Sequence, residues 1–101
     1  MSKVKTEVKL DFSKALDKMP QYHIIMHDDE KYTVPFLAKM FQEILYTPLE
    51  EAEKDANAVK TEKKEIVYTT HKELAELKVE LIANYCIGFD KPAKVSIEKA
   101  I

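Results

Sequence analysis

Three carboxylates stand side by side in the chain, Asp28-Asp29-Glu30. Ionised, they are acceptors only, so a cluster of them can hold a cation or the ammonium group of a ligand. It can equally be a solvated turn that caps a following helix. The segment lacks the further oxygen ligands and the glycine of an EF-hand loop. His23 and His27 share one face of an alternating segment but are separated by about 13 Å in extended chain, too far to share one metal. His71 falls in the first turn of a helix, and the single cysteine, Cys86, lies on an apolar helical face as a small core residue. Met19, Met26 and Met40 read as packing groups, with an adaptable pocket lining as the alternative. No serine or cysteine has a partner that would make a nucleophile–base pair, so catalysis, a metal and a cofactor are not expected.

Composition narrows the rest. The chain has 101 residues, the size of one domain, and 46% of them are apolar. Its formal charge is −2, and every one of the 16 positive side chains is lysine. A mildly acidic chain without arginine is a poor nucleic-acid binder. One glycine, Gly88, cannot build a phosphate-cradling loop. No apolar run reaches the roughly 20 residues of a membrane span. A lone cysteine gives no sign of secretion. A soluble, cytoplasmic monomer is expected.

The elements that must position the acidic cluster follow from periodicity. In residues 1–21, the stretch Val4 to Phe12 alternates charged and apolar side chains, as an added strand or as a flexible arm that orders on a partner. Tyr22 to Met26 is a strand with Tyr22, Ile24 and Met26 on one face. Thr33 reads as a helix N-cap with Pro35 in the first turn. Phe36, Leu37, Met40, Phe41, Ile44 and Leu45 form its apolar stripe. Thr47-Pro48-Leu49-Glu50 reads as a capping box for a second helix with Leu49, Ala52, Ala56 and Val59 lining its apolar face and Lys60 near its end. Thr61 to Lys64 reads as a turn and Glu65 to Tyr68 as a strand. Thr70 to Glu73 reads as another capping box. The third helix is expected to bury Leu74, Leu77, Val79, Leu81, Ile82 and Tyr85, expose Glu73, Glu76, Lys78 and Glu80, and end at Gly88 as the C′ residue. Lys94 to Glu98 is a last strand. The order β-α-α-β-α-β implies an α+β fold, a small sheet with helices on one face.

Three segments, Tyr22-His23-Ile24-Ile25-Met26-His27-Asp28-Asp29-Glu30, Lys72-Glu73-Leu74-Ala75-Glu76-Leu77-Lys78-Val79 and Ile97-Glu98-Lys99-Ala100, resemble ClpS, a family of adaptors of the ATP-dependent Clp protease. The resemblance runs without gaps over residues 22–100, weakest in the middle helix, and leaves residues 1–21 as the family's variable arm before a core of 22–101. It implies a three-stranded antiparallel sheet with three helices and no enzymatic activity. It also implies partners: a AAA+ unfoldase of the ClpA or ClpC kind, and substrate N-termini bearing a large hydrophobic first residue, the N-degron.

Position by position, the resemblance places amino-group binding on Asp28, Asp29, Glu30 and Lys60, the hydrophobic pocket on Tyr32, Val34, Leu37, Ala56, Val59 and Ala93, and unfoldase contact on Glu73, Glu76 and Lys78. Several positions depart from the family pattern. Asp28 replaces asparagine, Glu30 replaces aspartate, Val34 replaces a gating methionine, and Ala56 and Ala93 are smaller than usual. Glu62-Lys63 replaces a small pair often containing glycine. Lys60 stands where a histidine helps bind the amino group. A lysine brings three donors and no acceptor, so it would repel a ligand ammonium and could pair with Asp28 or Asp29 instead. An adaptor with altered N-degron selection is the expectation. A small interaction module unrelated to proteolysis, similar to the C-terminal domain of a ribosomal stalk protein, is the alternative.

Overall fold

A computed structural model describes residues 19–100 of the chain. The alternating segment Val4 to Phe12 lies outside the described residues. The element order is β1 (Gln21–His27), α1 (Val34–Leu45), α2 (Leu49–Glu62), β2 (Lys64–His71), α3 (Lys72–Gly88) and β3 (Val95–Lys99). The strands form one antiparallel sheet in the order β2-β1-β3. This is the expected α+β architecture, with β1 in the middle because it is the most apolar strand.

Alternation along β1 sends Tyr22, Ile24 and Met26 to the helix-covered face, with Ile24 and Met26 fully buried. Val95 and Ile97 of β3 stand opposite Met26 and Ile24 on that face. On the β2 side the register slips between Ile24, opposite Tyr68, and Ile25, opposite Ile66. The extra residue is Val67, so the bulge lets Val67 and Tyr68 both reach the core. On the other face, His23 is hydrogen-bonded to Thr69 (Nδ1···Oγ1, 2.8 Å) and His27 to Ser96 (Nε2···Oγ, 2.8 Å). The two histidines are thus tied to opposite neighbouring strands.

Thr33 caps α1 as expected, its hydroxyl accepting the Phe36 N–H at 3.2 Å. Leu37, Met40 and Phe41 are fully buried beneath it. The helix ends at Tyr46, which takes a left-handed conformation (φ 57°).

Five local expectations are corrected. The Thr47–Glu50 capping box does not form: Pro48, extended at φ −58° and ψ 148°, is the N-cap of α2, and its carbonyl accepts the Ala52 N–H at 2.8 Å. Because Pro48 is itself extended and its carbonyl takes the first helical bond, the helix starts one residue later than the box requires and Thr47 stands outside it. The first half of the Thr61–Lys64 turn is helix. α2 runs to Glu62, Thr61 bonds back to the Asn57 carbonyl at 2.9 Å, and the reversal is made by Lys63 alone at φ 73°.

The second capping box is also absent, because β2 extends to His71 and leads directly into α3 with no side-chain cap. Gly88 is not the left-handed terminator. It is the last residue of α3, and Asp90 (φ 57°) takes the left-handed place. The buried face of α3 is Ala75, Lys78, Ile82 and Cys86, so Leu77 and Leu81, expected inside, are 51% and 42% exposed.

Candidate functional site

β1 delivers the acidic loop at its C-terminal end, and the loop is pinned there. The Asp28 N–H donates to the Lys63 carbonyl (2.8 Å), tying it to the end of α2, and the Tyr32 N–H donates to the Asp29 carbonyl (3.0 Å), closing a turn. Asp29 Oδ2 accepts the Lys31 N–H at 2.9 Å, a local side-chain bond that fixes the turn further.

Every carboxylate oxygen of Asp28 and Asp29 has a donor from this same chain. Lys60 Nζ lies 2.8 Å from Asp28 Oδ1 and 3.0 Å from the Asp29 carbonyl oxygen. Lys63 Nζ reaches Asp28 Oδ2 at 3.5 Å, and Lys94 Nζ lies 2.9 Å from Asp29 Oδ1. The Lys60–Asp28 pair is partly enclosed, at 28% and 13% side-chain exposure, where a charge-assisted hydrogen bond is stronger than on open surface. Glu30 is exposed and stands outside this network.

The charges set the titration behaviour. Burial alone would raise the Asp28 carboxyl, but the hydrogen bond and charge of Lys60, with the Asp29 backbone and Lys63, hold it below its ordinary value. Lys94 is the main group lowering Asp29, helped by the Lys31 backbone. Asp29 in turn raises the Lys94 ammonium above its ordinary value. Lys63 and Lys94 were not among the expected site residues. A lysine in a turn or ahead of a strand carries no sequence signal for meeting a loop residue 35 or more positions away.

Four of the six expected pocket positions are closed to solvent. Tyr32, Leu37, Ala56 and Val59 are all at 0–1% exposure and belong to the core, Val34 is half-buried against it, and Ala93 is exposed. The Tyr32 hydroxyl donates to the Pro92 carbonyl and accepts the Lys94 N–H (3.0 Å), which draws the loop before β3 over this region. Cys86 packs against the same group, 3.9 Å from the Tyr32 hydroxyl and 3.8 Å from the Met40 sulfur. Burial pushes the Tyr32 hydroxyl well up from its ordinary value and raises the Cys86 thiol. On the outer side of Val34 the surface opens into a groove of about 460 Å³ between α1 and α2, lined by Val34, Pro35, Ala38, Lys39, Gln42, Leu49 and Glu53.

On α3, Glu73, Glu76 and Glu80 are exposed as expected. Lys78 is a correction. It is only 9% exposed and turns inward, its ammonium donating to the Ile44 carbonyl at 2.6 Å. The Tyr46 ring covers it, with Nζ 4.7 Å from the centroid. Ile44 is in the last turn of α1, where carbonyls lack helical partners and a cation is favoured.

Among the described residues no group of three metal-ligating side chains is positioned to hold an ion, and no helix is long and apolar enough to cross a membrane. Among the described residues the fold presents a loop of engaged carboxylates, a groove and an acidic helix face. The sequence matches the family described as ATP-dependent Clp protease adaptor protein ClpS over residues 17–96. The chain therefore belongs to the ClpS family, and its role is that of an adaptor of the Clp protease. No curated protein matches the sequence. Among solved structures, ClpS2 of Agrobacterium tumefaciens bound to L-phenylalaninamide superimposes with a TM-score of 0.77 at 11% identity, covering 82% of this chain and 100% of that one. At that identity the likeness is one of fold.

Proposed function

We infer that this chain docks a AAA+ Clp unfoldase of the ClpA or ClpC type through the outer face of α3 and modulates substrate delivery without selecting free hydrophobic N-termini in the family's manner. The observation that carries this reading is the Lys60 ammonium resting between Asp28 Oδ1 and the Asp29 carbonyl, where the family resemblance puts the ligand's amino group. A tethered ammonium competes at high effective concentration with one that must diffuse in. A second ammonium would also meet Lys60, Lys63 and Lys94 around two carboxylates. The closed pocket positions support the same conclusion. The solved ClpS2 holds L-phenylalaninamide, a free-amino aromatic ligand. In this chain four of the expected pocket positions, Tyr32, Leu37, Ala56 and Val59, have no open surface to offer such a ligand. Glu73 and Glu76 carry the docking, with Lys78 holding α3 against α1 rather than reaching a partner. Substrate N-termini act as partners only weakly. The protein works as a monomer in the cytoplasm, beside the Clp machinery.

Anisotropy titrations with peptides beginning in Phe, Leu, Tyr or Trp test the reading. The expected result is weak binding by the natural chain and stronger binding by Lys60→His. Micromolar binding by the natural chain, abolished by N-acetylation, would overturn it.

A further inference from the structure

We propose that the groove between α1 and α2 binds an apolar stretch of substrate polypeptide by its side chains, with no requirement for a free amino terminus. This rests on the adaptor reading and names the substrate class that such an adaptor takes.

Val34 is both an expected pocket position and a wall of the groove, so the two regions share one side chain. Its apolar surface comes from Val34, Pro35 and Ala38 on α1 and Leu49 on α2. Leu49 is 56% exposed, an apolar side chain at the lip of a concave surface rather than one scattered on a convex face. A volume of about 460 Å³ falls within the range of ligand clefts, which run from roughly 300 to 1,000 Å³.

Length and charge choose the occupant. Val34 to Gln42 is eight helical rises, or about 12 Å, which matches three or four residues of extended chain at about 3.3 Å each. Lys39 stands on one wall and Glu53 on the other, so the groove favours neither an ammonium nor a carboxylate end and suits the uncharged interior of a chain. Half-buried Gln42 offers a donor and an acceptor on one side chain, the pair a peptide backbone needs. The site that would require an amino terminus is meanwhile satisfied by Lys60.

The test uses the full chain and two fluorescent probes, acetyl-Gly-Leu-Val-Leu-Gly-Lys(fluorescein)-amide and the same peptide with serine replacing its three apolar residues. Saturable anisotropy with the apolar probe and not the serine probe is expected. Leu49→Glu is expected to weaken it at least tenfold while Lys60→His changes it less than twofold. Circular dichroism checks folding, and Leu49→Ser serves as the milder variant. Equal behaviour of the two probes, or binding indifferent to both Leu49 variants, would overturn the proposal. So would a dimer in sedimentation that Leu49→Glu dissolves, since the occupant would then be a second copy. If the apolar probe binds as expected but no Clp unfoldase binds the chain, the groove stands and the adaptor reading falls.

Discussion

Lys78 separates a structural role from a docking role, and its replacement by alanine does so quantitatively. Its ammonium is 2.6 Å from the Ile44 carbonyl, and a hydrogen bond to a charged group contributes about 1.5–3 kcal/mol. The ring of Tyr46 is 79% exposed, so the cation–π contact adds only about 0.5 kcal/mol. Alanine also removes three methylenes of the buried stem, at most about 0.8 kcal/mol each. Against these stands the relieved cost of keeping an ammonium at 9% exposure, an offset of a few kcal/mol. Lys78→Ala is therefore expected to destabilise the fold by about 3 kcal/mol, lowering Tm by roughly 12–24 °C in a domain of this size. Lys78→Met keeps the stem but loses the bond and the weak cation–π contact, leaving the Ile44 carbonyl unpaired, so it is expected to cost about 1–2 kcal/mol. Urea titration followed by circular dichroism measures both. A surface contact residue would change stability by less than about 0.5 kcal/mol. That result for Lys78→Ala, together with lost unfoldase binding, would refute the inward placement.

Gly88 lies in α3 with a negative φ, and nothing stands within 4 Å of where a Cβ would be. Gly88→Ala is therefore expected to stabilise by about 0.4–1 kcal/mol in the same urea titration; a loss of that size would mean a left-handed terminator after all. Cys86 is fully buried with its thiol pushed up. Its alkylation by iodoacetamide should follow the unfolding equilibrium, and rapid labelling of the folded chain would contradict the core packing. The Asp28 carboxyl is lowered in the folded state from 3.8. Its contribution is thus complete above that value and lost as pH falls through the lowered one. Asp28→Asn should flatten the acid limb of a stability–pH curve below about pH 4, and an unchanged limb would remove the Lys60 pairing.

Long apolar periodicities were legible from the residues alone: β1, α1 and the strand-helix order needed only the spacing of Ile24, Met26, Leu37 and Phe41. Misreadings gathered where two local signals competed. Thr47 and Thr70 have capping chemistry, but Pro48 takes the cap position from one and strand pairing claims the other. On α3 the hydrophobic pattern runs nearly all round the helix. Counting leucines therefore chose Leu77 and Leu81, whereas packing chose the small Ala75 and Cys86 and the long stem of Lys78. The acidic loop and the lysine at position 60 were both visible, and so was the possibility that they pair. The third lysine was not, because Lys94 meets Asp29 only after β3 has paired with β1.

The most direct measurement is degradation of a Phe-initiated reporter by a Clp protease with its unfoldase and a conventional N-degron adaptor, titrated with this chain. An adaptor that holds the unfoldase while its own Lys60 fills the ammonium site is expected to slow the reporter's degradation in proportion to its occupancy and to give no stimulation on its own. Acceleration of Phe-reporter degradation by this chain alone would contradict that account.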